Sequence, residues 1–342
     1  MKKGLFLILL LFLSSCSSHE QEGILPDFHK VENLVVKDSI DLEALDILKP
    51  THVYYKDSFL IFHTSTGHQE LQFLDLKDYT VSTKEFVGHG PDEVTTYSIV
   101  DHYGSSEIRI ADPNLKKILS MNLDSLQADS IVMPRFFMNT PERKPVHFGF
   151  ENSRYLYFAG TFEEGRFLCY DKQTEKVAYY EDYPVTDETS SLPRYSRSVI
   201  YSGCLLLGKE ERLVARTRGL LNFYEIVENG RLIPKATHHY FSPRFFFSST
   251  GRSVSWSGED IQGLTTGCST EQYLYFLYSD KTFEKYGMAA QHSPYLMTYD
   301  WDGNPVCEYH LEKPLWDVAV NGRTVYGLSR EKEAIIYIYE LP

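Results

Sequence analysis

The chain has 342 residues, 42% apolar and 14% aromatic, with 34 basic against 47 acidic side chains and a formal charge of −13. That apolar share supports a large buried core and excludes wholesale disorder. So acidic a surface repels phosphate backbones, which excludes general nucleic-acid binding.

The first element is an address. Lys2 and Lys3 precede the apolar run Leu5 to Leu13, which ends at Ser14-Ser15-Cys16. This run is too short for the roughly 20 residues a helix needs to cross a bilayer, and the pattern is that of an export signal. Its end resembles the lipobox of bacterial lipoproteins, whose cysteine thiol receives a diacylglyceryl group while cleavage falls just before it. The resemblance implies a signal peptide over residues 1–15, lipid attachment at Cys16 and a lipidated flexible tether over residues 16–30. Acyl chains contribute about 0.8 kcal/mol per buried methylene, enough for stable anchoring when several are present. Ser17 directly behind the cysteine resembles outer-membrane sorting signals. The expected location is the cell envelope, as an outer-membrane lipoprotein facing the periplasm or the exterior.

From residue 31 the chain is a succession of short Val/Ile/Leu/Tyr/Phe runs broken by Gly, Asn, Asp and Lys, with 25 Tyr and 21 Phe overall. Aromatic rings suit half-buried pleated surfaces, and runs such as Arg154-Tyr155-Leu156-Tyr157-Phe158 alternate with the period of a strand. A strand–turn–strand–turn–strand unit recurs from near residues 51, 97, 146, 198, 268 and 315. In the fourth copy, Ser198 to Tyr201 is expected as the first strand. Turns at Asp75-Leu76-Lys77-Asp78, Asp171-Lys172-Gln173-Thr174, Glu228-Asn229-Gly230 and Asp302-Gly303-Asn304 carry the residues a reversal needs. Repeats of about 40–50 residues with four strands each are propeller blades. The sixth copy ends one strand short. The segment from Leu34 to Leu42 is therefore expected to supply the missing outer strand, pairing both chain ends. The expected fold is all-β, a six-bladed β-propeller over residues 31–342. Two separate β-sandwiches are the alternative, and a seventh blade stays open if residues 242–267 hold a further unit.

The repeats, the lipobox and Gly88-His89-Gly90-Pro91-Asp92-Glu93 together resemble the TolB-like six-bladed propeller lipoproteins of Bacteroides-type bacteria. The last segment is similar to a Gly-x-Gly-Pro-Gly-Glu turn of that group, with Asp92 in place of the final glycine. The remaining cysteines, Cys169, Cys204, Cys268 and Cys307, sit in apolar strand-like runs without CxxC spacing. Buried thiols and disulfides both remain open, and a zinc site is not expected.

First strands line a propeller's channel, so polar residues recurring there form a ring. His52, Asp101, His102, His147 and Asp317 are the channel candidates, able to meet a polar ligand or a divalent cation. Lactonase-like six-bladed enzymes hold calcium at a comparable place, although this set is richer in imidazole than that cation prefers. Polar residues lining a wet channel are the plainer account. His89 in the Gly-Pro turn, and Arg252 and Trp256 in the irregular stretch 242–267, are loop candidates for contact with a sugar or protein. The tandem His238-His239 is expected on an outer strand with one imidazole on each side. No Gly-x-Ser-x-Gly, His-Glu-x-x-His or P-loop occurs. The function expected is a membrane-anchored, non-catalytic binding or scaffold propeller for an envelope protein, peptide or glycan, with no cofactor. A metal-dependent hydrolase or lactonase-like enzyme with its site at the channel mouth is the alternative.

Overall fold

Each turn singled out in the sequence reverses the chain, and its side chains show how. Asp75 Oδ1 accepts from Lys77 N at 2.9 Å and Asp171 Oδ1 from Gln173 N at 2.9 Å, while Asp300 Oδ1 accepts from Asp302 N and Asn304 N. A short carboxylate caps the backbone two residues on and closes the turn. Asn229, Gly230 and Gly303 take φ of 66°, 72° and 90°, the left-handed region that glycine and asparagine adopt with least strain.

A computed structural model describes residues 26–342 apart from 65–69, 86–89, 91–92, 96–97, 103–106, 113–116, 132–145, 187–188 and 249–253. After β1 (Val31–Leu34) and β2 (Asp38–Asp41), the first blade holds β3 (Pro50–Lys56), β4 (Phe59–Thr64), β5 (Glu70–Asp75) and β6 (Val81–Glu85). The second holds β7 (Ser98–His102), β8 (Glu107–Asp112), β9 (Lys117–Asn122) and β10 (Gln127–Ile131). The third holds β11 (Val146–Glu151), β12 (Tyr155–Gly160), β13 (Phe167–Asp171) and β14 (Lys176–Tyr180). Helix α1 (Arg194–Tyr201) precedes the fourth, which holds β15 (Leu205–Lys209), β16 (Arg212–Arg216), β17 (Leu220–Ile226) and β18 (Leu232–His239). A hairpin of β19 (Phe245–Phe247) and β20 (Val254–Trp256) follows. The fifth blade holds β21 (Ile261–Ser269), β22 (Tyr273–Thr282), the one-turn helix α2 (Phe283–Tyr286), β23 (Ser293–Asp300) and β24 (Pro305–Leu315). The last has β25 (Asp317–Asn321), β26 (Thr324–Ser329) and β27 (Ile335–Glu340).

Apart from the two N-terminal strands, neighbouring strands within each blade are antiparallel and in sequence order outward from the axis. The second and third blades are further joined by parallel pairing of β7 with β11, Val100 opposite Gly149. The expected closure is present: β2 pairs with β27, from Asp38 opposite Ile338 to Asp41 opposite Ile335. Residues 31–34 differ from expectation. β1 lies parallel to β24 as a fifth strand of the fifth blade, so the N-terminal segment stitches two blades.

A four-stranded sheet leaves two apolar faces, and stacking six such sheets around an axis covers them. Ile61 and Phe73 meet Ile110 and Met121 between the first and second blades. Ala111 and Ile118 meet Leu156 and Phe158 at the next interface, and Phe150 and Tyr157 meet Leu206 and Leu213 at the third. Phe223 and Tyr240 pack on Phe276 and Tyr299, then Leu277 and Leu296 on Val318 and Tyr339. Leu328 and Ile336 return to Leu60 and Phe62. At about 1.5–3 kcal/mol per buried large apolar side chain, these six interfaces dominate the stability.

Two expectations are corrected. Ser198 to Tyr201 is not a strand but the end of α1. Pro193, with φ −55°, leads into the helix, and the helical pitch turns Ser198 and Tyr201, three apart, to the same buried face. The inner strand begins only at Leu205. Residues 242–267 hold no further blade among the described residues: they form the β19–β20 hairpin and the start of β21. Cys169, Cys204 and Cys307 are buried thiols and Cys268 a half-buried one.

Candidate functional site

Every connection from an outer strand to the next inner strand falls on one face of the ring, because each blade is an up-and-down meander. That face carries α1, the β19–β20 hairpin and, between β22 and β23, α2. Glu284 N in α2 donates to Gly258 O beside the hairpin at 2.8 Å, so these insertions meet.

A central cavity of about 390 Å³ follows the axis, with walls from all six blades that include His52, Ile99, Gly149, Leu206, Thr266 and Asp317. Its best-defined polar group is Asp317, 3% exposed. Oδ2 accepts from Val53 N at 3.0 Å and lies 3.2 Å from His52 Nδ1; Oδ1 accepts from Thr266 Oγ1 at 2.8 Å and Val318 N at 2.9 Å. The carboxylate therefore ties the inner strands of the fifth, sixth and first blades together. Next to it, the His52 and His63 rings stack at 6.1 Å. Burial, followed by the His52 charge, pushes His63 down to about 4. Tyr54 is raised by burial and then by the nearby Asp317.

Of the five channel candidates, His52 and Asp317 come together. The side chains of Asp101, His102 and His147 lie outside the described residues, but their strands are placed. His147 is near the start of β11, whereas His102 sits at the end of β7, opposite Glu151. Four residues of strand separate His147 from Glu151, about 13 Å along the channel at roughly 3.3 Å per residue. Among the described residues no group of three or more His, Cys, Asp or Glu is placed to hold a metal ion. Cys16, His89 and Arg252 lie outside the described residues.

Trp256 belongs to a second cavity, of about 240 Å³, between α1, the hairpin and the end of β16. Tyr201, Phe245 and Trp256 give it ring-lined walls, Thr189 and Ser242 add hydroxyls, and Arg216 and Arg218 add charge. Gly203 and Arg216 border both cavities. Arg216 donates from Nη1 to Leu264 O at 3.2 Å, while its Nε is buried without a hydrogen-bond partner. Burial lowers this guanidinium to about 10, against the opposing effects of Cys204 and Asp317. Arg218 donates to the carbonyls of Ile261 and Gln262 and stands 5.7 Å over the Trp256 ring. The tandem histidines divide as expected. His238 Nε2 meets Gly303 O at 2.7 Å between blades, and His239, 3.1 Å from Ser242 Oγ, lines this pocket.

Arg216 and Arg218 were missed as site residues. The available signal was Arg216-Thr217-Arg218 set between the apolar runs Leu213 to Ala215 and Leu220 to Leu221. Two like charges at a strand end, without a nearby acid in sequence, mark a place where the fold must supply the counter-charge or leave it for a ligand.

A family described as TolB-like 6-blade propeller-like matches residues 27–323. Among solved structures, a presumed exported protein of Bacteroides fragilis superposes with a TM-score of 0.52 at 14% identity, covering 91% of this chain and 98% of its own. A Bacteroides thetaiotaomicron protein of unknown function gives 0.49 at 11% identity, covering 92% and 75%. No curated protein matches. These likenesses concern the fold.

Proposed function

We propose, from the premise that the chain belongs to the TolB-like 6-blade propeller-like family, a non-catalytic binding platform held in the cell envelope. Residues 1–15 direct export, Cys16 carries the lipid, and residues 16–30 tether the ring to the outer membrane. The partner, an envelope protein, peptide or glycan, docks on the face that bears α1, the hairpin and α2. The observation that supports this reading is the pocket on that face, where aromatic walls surround arginines with no acid bound to them among the described residues. Such a site grips a ligand. The Ser242 hydroxyl meets the His239 imidazole at 3.1 Å, but among the described residues no carboxylate is bonded to that imidazole, and Asp317, on the central channel, is committed to four donors.

The test is cross-linking in intact cells with three forms: the wild type, Cys16→Ala, and a chain whose residues 245–256 are replaced by a Gly-Ser turn. Partners of the platform are captured by the wild type and lost from the hairpin replacement. The Cys16→Ala form leaves the membrane fraction. Identical capture by the wild type and the hairpin replacement overturns the platform reading, and membrane retention of Cys16→Ala overturns the anchor.

A further inference from the structure

We propose that the pocket between α1 and the β19–β20 hairpin takes the carboxylate-bearing ring of an acidic saccharide, with Arg216 and Arg218 holding the charge. The inference rests on the binding reading above and names its ligand class. It starts from a charge imbalance. The chain is strongly acidic, yet in this corner it leaves three guanidinium groups without a bound carboxylate among the described residues.

Arg166, 2% exposed, donates to Asn222 Oδ1 at 2.9 Å and Tyr224 Oη at 3.3 Å, lies over the Phe167 ring, and has no partner at Nε. Its Nη2 reaches Cys204 Sγ at 4.0 Å, directly after Gly203, which walls both cavities. Arg216 spends one N–H on a carbonyl and Arg218 two, whereas a guanidinium offers five. Of the acids nearby, Asp260 is bound by Arg244 at 2.7 Å, Asp317 is held by the latch of the inner strands, and Glu181 acts on Arg166 through space without a side-chain bond to it among the described residues. Burying charge without an opposite charge is costly, and an incoming anion removes that cost.

The walls say what carries the anion. Trp256, Phe245 and Tyr201 are flat apolar surfaces, while Thr189, Ser242 and His239 present polar atoms between them. That mixture fits a pyranose, whose C–H face stacks on rings and whose hydroxyls need partners. Peptide carboxyl termini are characteristically captured by nests of backbone N–H groups; here the donors are side chains. A volume of 240 Å³ falls below the roughly 300–1,000 Å³ of pockets for drug-sized ligands. One terminal sugar ring fits, not the interior of a long chain.

Calorimetric titration of the detergent-solubilised full chain tests this with four probes: digalacturonic acid, cellobiose, acetate, and a tripeptide with a free carboxyl terminus. Digalacturonate is expected to bind at least tenfold more tightly than cellobiose, acetate or the peptide. Arg218→Gln is expected to weaken it tenfold or more, with Arg218→Lys recovering part of the loss. Trp256→Leu, on another wall, gives a second loss if either arginine variant melts early. Equal binding of cellobiose, tighter binding of the peptide, absence of digalacturonate binding, or indifference to both Arg218→Gln and Trp256→Leu overturns the inference. None of those results touches the platform reading, which stands or falls on hairpin-dependent capture in cells.

Discussion

Asp317 shows what a single buried carboxylate does in this ring. Its four hydrogen bonds join three blades, and two of the donors are backbone N–H groups that no rotamer change can redirect. In Asp317→Asn one acceptor becomes a donor facing groups that also donate. Hydrogen bonds to charged groups are worth about 1.5–3 kcal/mol each, so a loss of about 2–4 kcal/mol is expected, read as a lower urea midpoint with unchanged slope. His63 sets a second expectation. Its folded pKa, pushed down to about 4, lies below the ordinary 6.5. Between those values the unfolded chain takes up a proton that the folded one refuses, so stability is full above about pH 6.5 and declines as pH falls toward 4. His292, lowered mainly by burial, adds to the same limb. His63→Gln should flatten the dependence of Tm on pH between 6.5 and 4.5 without abolishing it. Asp171 behaves separately. The Arg154 hydrogen bond holds it at about 2, so its contribution persists down to about pH 4 and is lost only as pH falls further toward 2.

Among the elements, β21 couples blade packing to the pocket. Gly263 has φ +66°, and a Cβ there would lie 2.4 Å from Arg218 O and 2.5 Å from the Phe241 ring. Gly263→Ala therefore combines backbone strain with displacement of the segment that carries Arg218. A loss of about 1–3 kcal/mol is expected, measured by thermal unfolding, together with loss of digalacturonate affinity. Gly322, also at positive φ but with open space around it, should show the strain alone and keep the affinity. The fourth blade also shows where strand patterning misleads. The apolar residues of Ser198 to Tyr201 fit a short strand as well as a helical turn, and only their burial on one side of α1 separates the two.

At the scale of the molecule, stability depends on how the ring is shut. Truncation through Val35 removes β1 and Phe28 but leaves β2 on β27; truncation through Leu42 removes β2 as well and exposes the β27 edge. The first change should lower Tm by several degrees. The second should give a chain that aggregates on size-exclusion chromatography, since a bare edge strand templates pairing with other chains. The sequence by itself determined the propeller repeat, the turns and the closing strand, with a seventh blade in residues 242–267 left to the structure, because alternation, turn residues and spacing are local properties of each repeat. It also brought forward His52, Asp317 and Trp256, since polar or large aromatic residues stand out against apolar strands. Only the tertiary structure decided that Asp317 latches blades, that β1 leaves its neighbour for the fifth blade, and that Arg216 and Arg218 line one pocket with Arg166 over the Tyr201 ring that walls it. The physical reason is separation. Arg166 stands just before β13 of the third blade and Arg216 and Arg218 at the end of β16 in the fourth, and which charges remain without a counter-ion depends on distances that no local pattern encodes.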